Sequence, residues 1–224
     1  MNKPIKMIVT DLDGTLLRDD KTVSDRNRLA LSRCRELGIK VIFATGRSNQ
    51  TKVVSKDWFD GYVCCNGAYA YAGEMVVYQR KFTKETTSYI LNACHQRCIA
   101  AEPRQDEEIY LPVIKPGDME YINSILPIDL YLIVLRENDG QIMLKEATKS
   151  KAVEALSRYW KIEALEIVAF GDDLNDIDML SWTGIGVAMG NAVGEVLTTA
   201  DEVCPSNNDD GIAVWIERNI FSTI

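Results

Sequence analysis

Four groups of residues carry the chemistry open to this chain: Asp11-Leu12-Asp13-Gly14-Thr15, Thr45-Gly46-Arg47, Lys151, and Gly171-Asp172-Asp173-Leu174-Asn175-Asp176. Together they supply a nucleophile, an acid/base, holders for phosphate oxygens and a cage for a hard cation. That combination suits the movement of a phosphoryl group. A carboxylate that attacks a phosphate dianion meets like charge, and at ~4 Å one pair of unit charges costs about 4 kcal/mol at an effective dielectric near 20. A divalent cation between them reverses the sign. Oxygen ligands from Asp11, Asp172 and Asp176 suit Mg²⁺, which prefers oxygen donors and keeps some of its waters.

Thr45 offers a hydroxyl and Gly46 an approachable backbone amide, both suited to a phosphate oxygen. Lys151 follows Ser150, a good helix N-cap, and so falls in a first helical turn. There it opposes the helix dipole, a cost that a bound anion would offset. Each group alone has a plainer explanation: an Asx turn for Asp11 and Asp13, helix capping for Asp172 and Asp176, a solvated lysine for Lys151. Their order, and the position of three of the four after apolar runs, make the combination specific. Competing motifs are weaker. Asp11-x-Asp13-Gly14 lacks the third acid and the glycine spacing of a calcium loop. No Walker lysine motif occurs, and the one histidine, His95, lies within a helical stretch.

The elements that must position these groups alternate. Ile5–Thr10, Ile39–Ala44, Gly61–Cys65 and Leu165–Phe170 are short apolar runs that end at Asp11, Thr45, Asn66 and Gly171-Asp172. Such runs read as buried strands. Helices are expected over Ser24–Glu36, near Asn49–Lys56, and over Ser150–Trp160, Asp176–Trp182, Val193–Ala200 and Gly211–Arg218, with further short strands at Ile185–Met189 and Glu202–Cys204. Strands separated by helices imply an α/β fold, a doubly wound parallel sheet covered on both faces, with ligands at the carboxyl ends of its strands. A hairpin is expected over Tyr69–Tyr78, around Gly73.

Between Thr83 and Glu146 the pattern becomes helix, strand, strand, repeated once, with a strong turn signal at Asn138-Asp139-Gly140. Helices are expected over Thr83–Arg97 and Gly117–Leu126. Strands are expected over Cys98–Glu102, Glu108–Val113, Leu130–Arg136 and Gln141–Glu146. Residues 82–148 are therefore read as a small inserted α+β domain, and residues 1–81 with 149–224 as the core.

The net charge of −8 argues against a nucleic-acid binder. No apolar run approaches the ~18 residues of a membrane span, and the start leads directly into a strand, without the form of a signal peptide. The six cysteines lie mostly in apolar runs, so free buried thiols in a reducing cytoplasm are expected. Cys94-His95-x-x-Cys98 offers three soft ligands but no fourth nearby, whereas structural zinc takes four.

Taken together, Asp11–Leu17, Ala44–Arg47, Asn66-Gly67-Ala68, Ser150-Lys151, Phe170–Leu180 and Gly186–Ala192 resemble a haloacid dehalogenase-like phosphatase of the Cof-type branch, with a class-two cap. The resemblance implies that Asp11 is a nucleophile forming an aspartyl-phosphate. It implies that Asp13 protonates the leaving oxygen and then activates water, and that Thr45 and Lys151 hold the phosphoryl group. Mg²⁺ would be held by Asp11, the Asp13 backbone carbonyl and Asp172, with Asp176 ligating directly or through water. Gly46, Arg47 and Asn66 would face the substrate. The insert, about 67 residues between its hinges, resembles the short form of archaeal phosphoglycolate phosphatase-like proteins and implies an open site. Candidate substrate contacts in it are Glu102, Arg104, Tyr110 and Lys115. The expected partner is a small-molecule phosphate ester: a sugar phosphate, phosphoglycolate or a nucleotide-related compound. The protein is expected to be cytoplasmic, a monomer or homodimer. A phosphomutase sharing the aspartyl-phosphate and, more remotely, a phosphoryl-receiving signalling module are the alternatives.

Overall fold

The computed structural model describes residues 4–47, 53–104, 108–134 and 138–223. The chain divides into two compact units: Met1–Tyr78 with Lys149–Ile224, and Gln79–Thr148. In the first unit β1 (Met7–Thr10) leads to α1 (Asp25–Glu36), β2 (Lys40–Ala44), β3 (Gly61–Cys64), β4 (Tyr69–Ala72) and β5 (Met75–Gln79). The second unit holds α2 (Lys84–Gln96), β6 (Glu102–Arg104), β7 (Glu108–Leu111), α3 (Pro116–Ile125), β8 (Leu130–Val134) and β9 (Gly140–Leu144). The first unit then resumes with α4 (Lys149–Trp160), β10 (Ile167–Gly171), α5 (Ile177–Trp182), β11 (Ile185–Ala188), α6 (Gly194–Thr199), β12 (Glu202–Val203) and α7 (Gly211–Asn219).

The core sheet runs β12-β11-β10-β1-β2-β3-β4-β5. It is parallel from β12 to β3, and β4 turns back antiparallel to β3. Its central strands are buried on both faces, as a parallel sheet under two helical layers requires. Alternation assigns the faces. Ile8, Val41, Phe43, Val168 and Phe170 pack with Leu31 and Cys34 of α1 and with Ile212 and Ile216 of α7. Met7, Val9, Ile42, Ile167 and Ala169 pack with Val153 and Leu156 of α4, Met179 and Leu180 of α5, and Val196 of α6. A one-residue slip of any strand would exchange its two faces, so the register is firmly fixed.

Local signals account for the boundaries. Ser24 caps α1, its side chain accepting from the Asn27 N–H, and Gly38 follows the helix with φ +83°. Of the helix expected near Asn49–Lys56, residues 49–52 lie outside the described residues, and the described remainder forms no α-helix but leads into a 3-10 turn at Lys56–Trp58. The expected strand Cys98–Glu102 is displaced: β6 begins at Glu102, while Cys98 lies beyond α2 with φ 55°. Leu130–Val134 and Gly140–Leu144 pair antiparallel, and the turn between them lies partly outside the described residues.

The inserted unit has its own four-stranded antiparallel sheet, in the order β6-β7-β9-β8. Ile90 and Cys94 of α2 and Ile122 of α3 pack with Ile109, Leu111 and Ile142 of that sheet in a separate core. The unit therefore has a hydrophobic core of its own. Among the described residues, no helix is long and apolar enough to cross a membrane.

Candidate active site

Strand order brings the chemistry together. β10, β1, β2 and β3 are neighbours, all parallel, so the residues just past their carboxyl ends line one edge. Thr10 is level with Phe170 and Phe43, and the Asp11 N–H continues the ladder onto Phe170 O at 3.0 Å. Thr45 N–H donates to Val63 O, and Asn66 N–H to Thr45 O. Asp11, Thr45, Asn66 and Asp172 are each at most 5 % exposed.

The deep end of this edge is a cluster of carboxylates around one ammonium. One oxygen from each of Asp11, Asp172 and Asp176 lies within 4.8 Å of the others. Lys149 Nζ donates to Asp11 Oδ1 at 2.7 Å and to Asp176 Oδ1 at 2.6 Å, and its side chain is fully buried. Asp176 Oδ2 accepts from the backbone N–H groups of Asp172 and Asp173. Asp172 Oδ1 accepts from the Thr15 hydroxyl at 2.8 Å. Among the described residues no hydrogen bond reaches Asp11 Oδ2, so this carboxylate is anchored by one oxygen and offers the other. Two glycines permit the approach. A Cβ on Gly14, which has φ +82°, would lie 2.3 Å from Asp172 Oδ2, and one on Gly171 would lie 2.5 Å from Asp176 Cβ.

Burial pushes the Asp11 carboxyl well above the usual carboxylate range; Lys149 opposes this, and Asp176 and Asp172 add to it. Burial alone would lower the Lys149 ammonium, but the Asp11 and Asp176 carboxylates outweigh it and hold the group well above its ordinary value. Three buried carboxylates with one ammonium leave an excess of negative charge. A divalent cation bound by oxygen would balance it, so the donor set fits a metal such as the sequence implies. Asp11 and Asp172 are the better placed ligands, because both oxygens of Asp176 are already engaged by N–H donors.

At the mouth of the site two cations hold one carboxylate. Arg47 grips the Asp13 carboxylate with two bonds, Nε to Oδ2 at 2.5 Å and Nη2 to Oδ1 at 2.6 Å, and Lys21 Nζ adds a third at 3.1 Å to Oδ1. Burial raises Asp13, but the hydrogen bonds and charges of Arg47 and Lys21 win and hold its carboxyl below the usual range. The Asp13 side chain is therefore not part of the deep carboxylate cluster. Thr45 Oγ1 accepts from the Arg47 N–H at 3.1 Å, which leaves its own proton for an oxygen brought to the site. Gly46 lies against the Asn66 amide, and Asn66 Oδ1 accepts from Asn175 Nδ2 at 2.7 Å. Cys65, Asn66 and Gly67 are all left-handed, a tight reversal that turns Asn66 back toward Gly46.

One expected residue is corrected. Lys149, not Lys151, meets Asp11. The helix begins at Lys149, one residue before the expected cap Ser150, whose N–H is instead capped by Asp178 Oδ2 at 3.0 Å. Lys149 shares the buried stripe of α4 with Ala152, Val153 and Leu156, whereas Lys151 lies about 200° further round and is exposed. Lys149 and Lys21 are the residues that sequence reasoning missed; Thr15 and Asn175 lie inside the motifs above but had no role assigned to them. The stripe spacing i, i+3, i+4, i+7 was the signal for Lys149. Lys21 had none, because its reach depends on a turn.

In the inserted unit, Glu102 and Tyr110 are paired across β6 and β7, and Lys115 precedes α3; the Arg104 side chain lies outside the described ones. All six cysteines are free, and only Cys98 is exposed. His95 is exposed while Cys94 is buried, so Cys94, His95 and Cys98 do not converge; among the described residues the acidic triad is the one cluster suited to a metal.

Comparison with known proteins agrees with this geometry. The family model described as haloacid dehalogenase-like hydrolase matches residues 8–125 and 118–216. The 5-amino-6-(5-phospho-D-ribitylamino)uracil phosphatase YcsE of Bacillus subtilis is 28 % identical, covering 96 % of this chain and 95 % of the relative. That alignment runs over 248 positions, more than the 224 residues of this chain, so the relative carries internal residues that this chain lacks. A phosphatase-named relative of Haemophilus influenzae is 47 % identical, but over only 78 residues, 35 % of this chain and 30 % of the relative. The solved structure of a haloalkanoate-superfamily phosphatase from Bacteroides thetaiotaomicron shares the fold with a TM-score of 0.89 at 21 % identity, covering 99 % of this chain and 96 % of that one. With its carboxylate-rich strand edge and a family match along most of its length, the chain belongs to the haloacid dehalogenase-like hydrolases and is a phosphoric monoester hydrolase of their Cof-type phosphatase branch.

Proposed function

We propose that this enzyme is an Mg²⁺-dependent phosphatase of a small phosphate monoester, acting through an aspartyl-phosphate on Asp11. The observation that carries the reading is the Lys149 ammonium between Asp11 Oδ1 and Asp176 Oδ1, which fixes the Asp11 carboxylate and leaves Oδ2 for attack. Asp11 Oδ2 forms a bond to phosphorus as the bond to the ester oxygen breaks. Asp13, two residues on at the mouth, takes up a proton once Arg47 and Lys21 move off it and gives that proton to the leaving oxygen; it then takes one from the water that attacks phosphorus, as the Asp11 Oδ2–phosphorus bond breaks and phosphate leaves. The charge developing on the phosphoryl oxygens is met by Lys149, the Thr45 hydroxyl and the Gly46 amide. Asp11 and Asp172 would hold Mg²⁺, which would neutralise charge on the nucleophile and the phosphate. Asp176 orients Lys149 and ties down the backbone of Asp172 and Asp173. Asn66 and Asn175 hold the rim, and Arg47 faces the substrate.

The Bacillus subtilis relative YcsE is named for a phosphorylated small molecule, and a panel drawn from that class is the test. Phosphate release from sugar phosphates, carboxylated phosphate esters and nucleotides is measured with Mg²⁺ and with EDTA. Release with Mg²⁺ and none with EDTA is expected. Equal release in both would remove the metal from the reading, and no release from any ester would contradict the activity.

A further inference from the structure

The turn that follows Asp11 and Asp13 is tied to the C-terminal part of the core by a chain of asparagines. Asn191 Nδ2 donates to Gly14 O at 2.8 Å, and Asn191 Oδ1 accepts from the Asn207 N–H at 2.9 Å. Asn207, 2 % exposed, donates through Nδ2 to Leu17 O at 3.0 Å and to Asp19 Oδ1 at 3.1 Å. Asn208 pairs with Asp19 in both directions, and Arg18 Nη2 donates to Asp210 Oδ1. Within the turn, Lys21 N–H donates to Arg18 O and Arg18 N–H to Thr22 O. Lys21 itself is left-handed, with φ 65°. A residue with a Cβ is disfavoured there, and the ties on either side over-determine the turn that holds it.

This scaffold aims one ammonium at the mouth of the site. Lys21 and Arg47 both bind Asp13, with side chains 58 % and 34 % exposed, so a ligand can reach either cation. Two cations hold the one carboxylate Asp13 at the mouth, whereas three carboxylates share one cation at the deep end. Both oxygens of Asp13 are occupied by these cations. A leaving-group oxygen reaches Asp13 only when Lys21 or Arg47 moves off, and an anion carried by the leaving group gives the displaced cation a new partner.

We propose that Lys21 is a specificity-determining residue that, beside Arg47, receives a second anionic group of the substrate, a carboxylate or phosphate close to the ester oxygen. The proposal rests on the phosphatase reading above and adds the charge of the leaving group to it. Among the described residues, Lys21 is placed for this by the core unit alone.

The test compares two esters of similar size, carboxymethyl phosphate and 2-hydroxyethyl phosphate, in the full-length enzyme with Mg²⁺. Wild-type kcat/KM should favour the carboxylated ester by about tenfold or more, and Lys21→Asn should cut that preference to within about threefold, mainly through KM. Asparagine tolerates the left-handed backbone, so the turn survives the loss of charge. Lys21→Arg should retain most of the preference. Equal loss on both esters in Lys21→Asn would overturn the proposal, because it would show a turn-holding role only. Hydrolysis of both esters by the wild type without preference would overturn the proposal and leave the phosphatase reading standing. Hydrolysis of neither would contradict that reading, and the proposal with it.

Discussion

The two ends of the site are built on opposite plans. At the deep end, the side chains of Lys149, Asp11 and Asp176 are at most 8 % exposed, and Asp172 is buried. Three acids there share one cation. At the mouth, Asp13 is 38 % exposed in its side chain and shares two cations, Arg47 and Lys21. The deep end rests on strand ends and a helix stripe, which packing holds in place. The mouth rests on a turn, an arginine and a set of asparagine ties. Burial makes the deep interactions costly to break, while solvent screening makes those at the mouth individually weak and exchangeable. That division suits a reaction with a fixed phosphoryl chemistry and a variable leaving group.

Breaking the deep end should have the larger effect. Lys149→Met leaves Asp11 and Asp176 facing each other without their cation. Phosphate release should fall by about 10³-fold. In EDTA the variant should lose about 3–5 kcal/mol of stability, the usual cost of breaking a buried ion pair, read from urea unfolding. Lys151→Met, two residues along the same helix but on its exposed face, should stay within about twofold of wild type in the same assays. If the two variants were reversed in effect, the assignment of the buried lysine would be wrong.

A pH series sharpens the contrast at the mouth. The Asp13 carboxyl is held low in the folded protein by Arg47 and Lys21. Its pairs therefore add stability above the unfolded carboxylate value of about 3.9, and that stability is lost as the pH falls through the depressed folded value. Arg47→Ala should thus be less stable than wild type by up to about 1 kcal/mol at pH 7, a figure kept small by exposure. The gap should close as both proteins are taken below about pH 3. Urea midpoints in EDTA at the two pH values measure it. A gap that widened in acid would contradict the sign.

Much of this arrangement is legible in the sequence because strands and helices impose short periods. Apolar runs ending at Asp11, Thr45, Asn66 and Gly171-Asp172 place those residues on one edge once the sheet is parallel. The αββαββ order of the insert follows from its turns and alternation. Lys149 was legible in principle, since it continues the apolar stripe of Ala152, Val153 and Leu156, yet a lysine on a buried stripe runs against the usual pattern, and Ser150 offered a tempting cap. The Lys21–Asp13 pair and the asparagine ties span contacts from 8 to 190 residues apart. No local period encodes them, because they depend on how a turn and a C-terminal loop meet in three dimensions.

The central claim is that Asp11 carries the phosphoryl group. Wild-type enzyme mixed with a hydrolysed ester and Mg²⁺, quenched in acid within milliseconds and digested, should yield a phosphorylated peptide containing Asp11 by mass spectrometry, and Asp11→Asn should yield none. Steady phosphate release with no adduct on Asp11 at any quench time, or turnover retained in Asp11→Asn, would contradict it.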